Sequence, residues 1–264
     1  MPNNWTREEE IVVLDLYCKI PFQKSSKNHS EVIKIANILG RTPSAVNMKI
    51  GNFGSFDESL KKQGIVGLTN VSRLDKEIWD EFNDRWDELS LLSEQIIAQR
   101  TGKSMPYIDT TNPLQALDST IDIPLGKERV ATVKQRVNQA FFRKAVLASY
   151  NSTCCITGLT IADLMIASHI KPWRDCTEAE RTNPRNGLCL NALHDKAFDR
   201  GLLTVTPDGK IHISQSIKMT PNKTLQEYFL RYDNENIRFP EKFMPDKIFL
   251  EYHNDMIFEK RSYQ

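Results

Sequence analysis

The stretch from Ile166 to Gly201 leaves this chain little conformational freedom. Ile166-Ala-Ser-His-Ile170 reads as a short strand, and Lys171-Pro172-Trp173 ends it because proline has no amide to give to a ladder. A charged loop runs on to Asn183-Pro184-Arg185. Asn186-Gly187 is a tight-turn dipeptide, and Leu188-Cys189-Leu190 is a second short strand. Asn191 is a good N-cap, Ala192 to Arg200 suits a helix, and Gly201 supplies the left-handed stop. The order is strand, loop, strand, helix. His169 falls on the first strand, Asn186 at the turn, and His194 near the helix start.

The rest of the 264 residues frames this segment. Composition is that of an ordinary folded protein, 40% hydrophobic and 26% charged. No apolar run reaches the roughly 18 residues of a membrane span. The first residues carry no signal-peptide core, and five irregularly spaced cysteines make a poor disulfide framework. A cytoplasmic protein is expected. The net charge of +1 names no partner, so a nucleic-acid surface would have to come from local clustering.

An α+β protein of two domains follows from the pattern: a helical domain over 1–100, a linker over 101–126 and a second domain over 127–264. Thr6-Arg7-Glu8-Glu9 is a capping box, Ser30 opens a second helix that Gly40 ends, and Thr42-Pro43 starts a third that stops near Gly51. One acidic helix is expected over Arg73–Glu94, with eight carboxylates against three bases. Its Trp79 and Trp86 suit packing on the first domain or on a second copy. Residues 127–150 reverse the sign, with six bases against one acid. Arg136, Gln139 and Arg143 there share one helix face. Leu202–Val205 and Ile211–Ser214 flank Pro207-Asp208-Gly209-Lys210 as a hairpin.

The histidines carry the chemistry. A neutral imidazole takes a proton from water near pH 7. A second imidazole at a helix start can hold a divalent cation, which stabilises charge on a phosphate and on a leaving 3′ oxygen. An asparagine amide can bridge the loop between them. Packed or surface histidines would fit the same spacing, and His29, His212 and His253 are read that way.

The segment resembles the HNH (ββα-metal) endonucleases, in the branch found among predicted bacterial restriction endonucleases. The residues that carry the resemblance are Cys155-Ile-Thr-Gly158, Ala167-Ser-His-Ile-Lys-Pro-Trp173, Asn186-Gly-Leu-Cys-Leu190, and His194 with Phe198-Asp199-Arg-Gly201. Arg136-Val-Asn-Gln139 with Phe142-Arg143, and the late Phe249-Leu-Glu-Tyr-His253 with Ile257-Phe258, extend it. The resemblance implies that His169 is the general base, Asn186 a mainly structural residue, and His194 the metal ligand. Many relatives have Asp or His where Ser168 stands, so Asp199 or Asp195 would assist His194. The metal implied is Mg²⁺, with Mn²⁺ as a substitute. The second members of the family's Cys-x-x-Cys pairs are missing, so no structural zinc is expected and the cysteines are read as buried thiols.

Double-stranded DNA is the implied partner, cut to 5′-phosphate and 3′-hydroxyl ends in restriction or defence. Arg136, Gln139, Arg143, Lys171 and Arg174 are the candidate DNA contacts. One such centre cuts one strand, so a homodimer is expected, with the Trp79/Trp86 helix as its surface. Trp5-Thr6, Leu39-Gly40-Arg41-Thr42 and Ala45-Val46 also resemble a Myb/SANT-type helix-turn-helix, whose third helix would present Ser44, Asn47 and Lys49 to DNA. A non-catalytic DNA-binding regulator, or a structure-specific or RNA nuclease, are the alternative readings.

Overall fold

A computed structural model describes residues 4–65, 67–68, 71–103 and 127–260, with the side chains of 127–131 excepted. The expected linker therefore lies outside the described residues from position 104 to 126. The architecture is mixed, with helices around two small two-stranded sheets.

Helix α1 (Arg7–Lys19) starts at the capping box. The Thr6 hydroxyl accepts from the Glu9 amide, and the Glu9 carboxylate accepts from the Thr6 amide. Residues Glu9 to Cys18 are all buried, because α1 is the axis on which α2 (Ser30–Leu39) and α3 (Pro43–Gly54) collect, and the short α4 (Glu58–Lys62) follows them. Its burial puts carboxylates inside, and buried charge demands partners. The Lys49 ammonium lies between Glu10, at 2.7 Å, and Asp75, which also accepts from Asn52. Arg41 clasps Glu9 at 2.8 and 3.0 Å. Lys49 is thus 6% exposed, and its expected place on a DNA-reading face is corrected. Ser44 remains exposed, whereas the Asn47 amide oxygen is buried without a partner.

The acidic segment is two helices, α5 (Arg73–Phe82) and α6 (Trp86–Thr101), rather than one. The chain turns between them at Asp84, whose φ of +100° no helix accommodates. The turn sends both tryptophans inward. Trp79 meets the Tyr17 ring edge-on at 5.8 Å, while Trp86 stacks over Phe141 at 6.4 Å and meets Phe243 at 5.2 Å. These rings are covered by their own chain, so the surface expected to join two copies is not available for that purpose.

Helix α7 (Lys127–Ser149) separates two cores. Phe141 and Ala145 belong to the core around α1, and Phe142 and Val146 to the core around the sheets. Strands β1 (Met165–His169) and β2 (Gly187–Asn191) pair antiparallel, with His169 opposite Gly187. The short α8 (Glu178–Thr182) lies in the loop between them, and α9 (Ala192–Asp199) follows. The hairpin of β3 (Leu203–Val205) and β4 (Ile211–Ile213) falls where the turn residues placed it. Short α10 (Gln215–Lys218) and α11 (Lys223–Tyr228) precede the last helix, α12 (Lys247–Met256). Among the described residues no helix is long and apolar enough to cross a membrane.

The halves expected at 1–100 and 127–264 are joined by more than α7. Lys242 is completely buried and its ammonium meets the carbonyls of Tyr17, Cys18 and Ile20, at the C-terminal end of α1. It also lies over the Tyr17 ring at 4.3 Å. A cation at a helix C-terminus is favourable, and here it satisfies carbonyls that the helix leaves open.

His253 on α12 stacks on Phe198 at 3.6 Å, with its ring NH on the Phe198 carbonyl and Nδ1 2.8 Å from the Thr204 hydroxyl. Burial pushes its pKa down to about 4. The unfolded chain then binds the extra proton as pH falls below the ordinary imidazole value, so this contribution to stability is present at neutral pH and is lost toward pH 4. The stability advantage of wild type over His253→Gln is expected to shrink by about 2 kcal/mol between about pH 7.5 and about pH 5, read by urea unfolding of both proteins. An advantage that grows over this range contradicts the reading.

Candidate active site

His169 closes β1, and its ring is held on several sides. It lies 3.7 Å from the Phe142 ring and within 10° of parallel to it, while Trp173 approaches edge-on at 5.5 Å. Nε2 is 3.0 Å from the Arg181 carbonyl oxygen. A carbonyl oxygen only accepts, so the proton of the neutral ring sits on Nε2 and the lone pair on Nδ1. Burial pushes the pKa of the ring down to about 4, with the Arg181 carbonyl opposing, so the ring is neutral at pH 7.

Asn186 explains why the Arg181 carbonyl is there. The side chain is fully buried at the turn before β2. Its Oδ1 accepts from the Lys171 amide at 2.8 Å, and its Nδ2 donates toward the carbonyls of Glu180 (3.2 Å) and Lys171 (3.4 Å) and the Cys176 sulfur. One amide thus ties the start of the β1–β2 loop to its end. The residue after Glu180 is Arg181, whose carbonyl orients His169.

On the cavity side of His169, a space of about 610 Å³ is lined by Ser168, Asp195 and Asp199 together with Arg174, Lys196 and Arg200. Asp195 and Asp199 are one turn apart on α9 and share a face. Burial, then the charge of Asp199, pushes the Asp195 carboxyl up to about 6, while Ser168 opposes the shift. The Ser168 side chain is buried on the same side, next to Asp195. Two carboxylates one turn apart suit a hard cation, and Mg²⁺ is commonly held by one or two carboxylates with waters filling the shell. Among the described residues there is no group of three or more His, Cys, Asp or Glu side chains placed to hold a metal.

His194 is not brought to this cavity. Its ring opens instead toward a second cavity of about 800 Å³, beside Tyr228 and Tyr232. Nε2 lies 2.8 Å from the Tyr228 carbonyl and Nδ1 lies 3.0 Å from the Asn191 amide oxygen, which also caps α9 through the His194 amide. Both ring nitrogens face protein oxygens, and His194, expected to be the metal ligand, lines a different cavity from Asp195 and Asp199. The sequence shows the four-residue spacing of the two aspartates. What it lacked was the rotational phase of α9, which turns neighbouring residues by about 100°.

The expected DNA contacts divide. Arg174 is exposed at the cavity rim, with Lys196 and Arg200, which the sequence reading missed. Lys171 is paired with both oxygens of Glu180 at 2.8 Å and is not a free phosphate contact. Arg143 donates to the Met165 carbonyl at 3.1 Å and so fixes the start of β1. Arg136 and Gln139 are half-buried along α7. All five cysteines are buried and unpaired with each other.

Residues 154–206 match the model of the family described as HNH endonuclease. The matched stretch contains His169, Asn186, Asp195 and Asp199. No curated protein matches the chain.

His194→Ala is expected to lower stability by about 2 kcal/mol, since it opens space and strands the Tyr228 carbonyl, and to leave divalent-ion affinity unchanged. Thermal melting and titration calorimetry with Mn²⁺ check the two halves. Loss of ion binding at unchanged stability would restore His194 as a ligand.

Proposed function

We propose that this protein is a divalent-metal-dependent DNA endonuclease that hydrolyses phosphodiester bonds. The observation that carries the reading is His169, fixed through Nε2 on the Arg181 carbonyl with Nδ1 as its base nitrogen, beside a cavity holding Asp195 and Asp199. The family match over this stretch supports the same class of chemistry.

In this reading Nδ1 of His169 accepts a proton from water as the water oxygen bonds to phosphorus. The bond from phosphorus to the 3′ oxygen breaks, and that oxygen takes a proton from solvent, leaving a 5′-phosphate and a 3′-hydroxyl. A divalent cation held by Asp195 and Asp199, with Ser168 close by, would stabilise the charge on the phosphate and on the leaving oxygen. Arg174, Lys196 and Arg200 hold the flanking phosphates and fix the strand without reading its sequence. Asn186 does no chemistry; it holds the loop that holds the base. Restriction or defence is the cellular role that agrees with this activity, and one cavity acts on one strand at a time.

The test is nicking of supercoiled plasmid with Mg²⁺ and with a chelator. His169→Ala and Asp195→Asn are each expected to slow nicking by at least about a hundredfold while DNA affinity by gel shift holds. Nicked circles should precede linear product. Cleavage by His169→Ala within about tenfold of wild type would reject the assignment of the base.

A further inference from the structure

The aromatic residue of α7 that faces the base has no part in the chemistry just described, yet its placement is tightly specified. We propose that Phe142 is a positioning residue for this reaction, setting the plane of the His169 imidazole so that Nδ1 faces the cavity. The proposal rests on the nuclease reading and adds a residue to it.

Three observations support the assignment. The two rings are stacked at 3.7 Å and 10°, with Phe142 itself 3% exposed. The backbone is shaped to allow this. Gly187 is the strand partner of His169, and a Cβ there would lie 2.3 Å from Val146 Cγ2 and 3.1 Å from Phe142 Cζ. Glycine at 187 is what lets α7 come close enough for the stack. Finally, the other restraints on the ring leave one motion open. The torsion about Cβ–Cγ of a histidine is broad, and the single bond from Nε2 to the Arg181 carbonyl tolerates rocking about its own axis. A flat ring against the imidazole face removes that rocking, with the Trp173 edge at 5.5 Å as a further wall.

The neighbouring residue enters the other core. Phe141 stacks on Trp86 in the core around α1, so α7 is gripped by both halves of the protein. Phe142 therefore presents a surface that does not move independently of the fold. A flexible side chain of similar volume would fill the space without setting an angle.

The experiment uses the full chain with histidine labelled in ¹³C and ¹⁵N, and the variants Phe142→Tyr and Phe142→Leu. Ring protons of an imidazole stacked on a benzene face move upfield, and His169→Gln identifies the signals by their loss. The wild type and Phe142→Tyr are expected to show His169 upfield and to nick plasmid at similar rates. Phe142→Leu should return the His169 signals toward ordinary values and lower kcat by about ten- to a hundredfold, the scale of a small misplacement of a reacting group, with KM changed by less than about threefold. Should the leucine protein fail to fold, Phe142→Met makes the same comparison. Unshifted His169 signals in the wild type, a kcat retained without the aromatic face, or a tyrosine variant as slow as the leucine one would each overturn the role. A wild type that cuts no DNA overturns the nuclease reading and this role with it. A wild type that cuts, with Phe142→Leu cutting equally well, overturns the role alone.

Discussion

The hydrogen bond from His169 Nε2 to the Arg181 carbonyl decides what the site can do. In the proposed reaction, an imidazole with its proton on the wrong nitrogen, or its ring turned over, would offer no base to the cavity. Arg181 makes this bond with its backbone, so the requirement passes to whatever holds the loop. That is Asn186, whose buried amide bonds to both ends of the loop, supported by Lys171 paired with Glu180 inside it. A polar loop between two short strands would otherwise be among the more mobile parts of a protein. Here its own polar groups are used up in fixing it.

The second constraint is the shared wall formed by α7. The ββα unit is too small to bury a core, and isolated two-stranded sheets are marginal. Phe142 and Val146 cover β1 and β2, while Phe141 and Ala145 close the core around α1. Lys242 adds a link from the C-terminal half to the end of α1. The helical half therefore supports the C-terminal half through buried contacts, whatever else it touches. Its internal charges follow from the same packing. Glu10, Asp75 and Lys49 are inside because α1 is central, and the lysine is spent on that network.

Much of this could be read along the chain because the signals were local. The Thr6 capping box, the Thr42-Pro43 helix start, the two strands around His169 and Gly187 and the hairpin at Asp208-Gly209 each depend on residues within a few positions of one another. The misreadings concern direction. A helical stretch from Arg73 to Glu94 is plausible by period, but Asp84 adopts a positive φ and splits it, which turns Trp79 and Trp86 into the core. Lys49 and Lys171 count as bases in a sequence, and only the fold shows them paired with acids 26 and 9 residues away. His194 and Asp195 are adjacent, and they open onto cavities on different sides of α9.

That last distinction is the centre of the account, and one measurement addresses it directly. A crystal structure of the protein grown with Mn²⁺, with data collected for the anomalous signal of the metal, would locate the cation. A peak is expected within coordination distance of Asp195 and Asp199, on the side of α9 that faces Ser168. A peak on a ring nitrogen of His194, with the aspartates vacant, would contradict it.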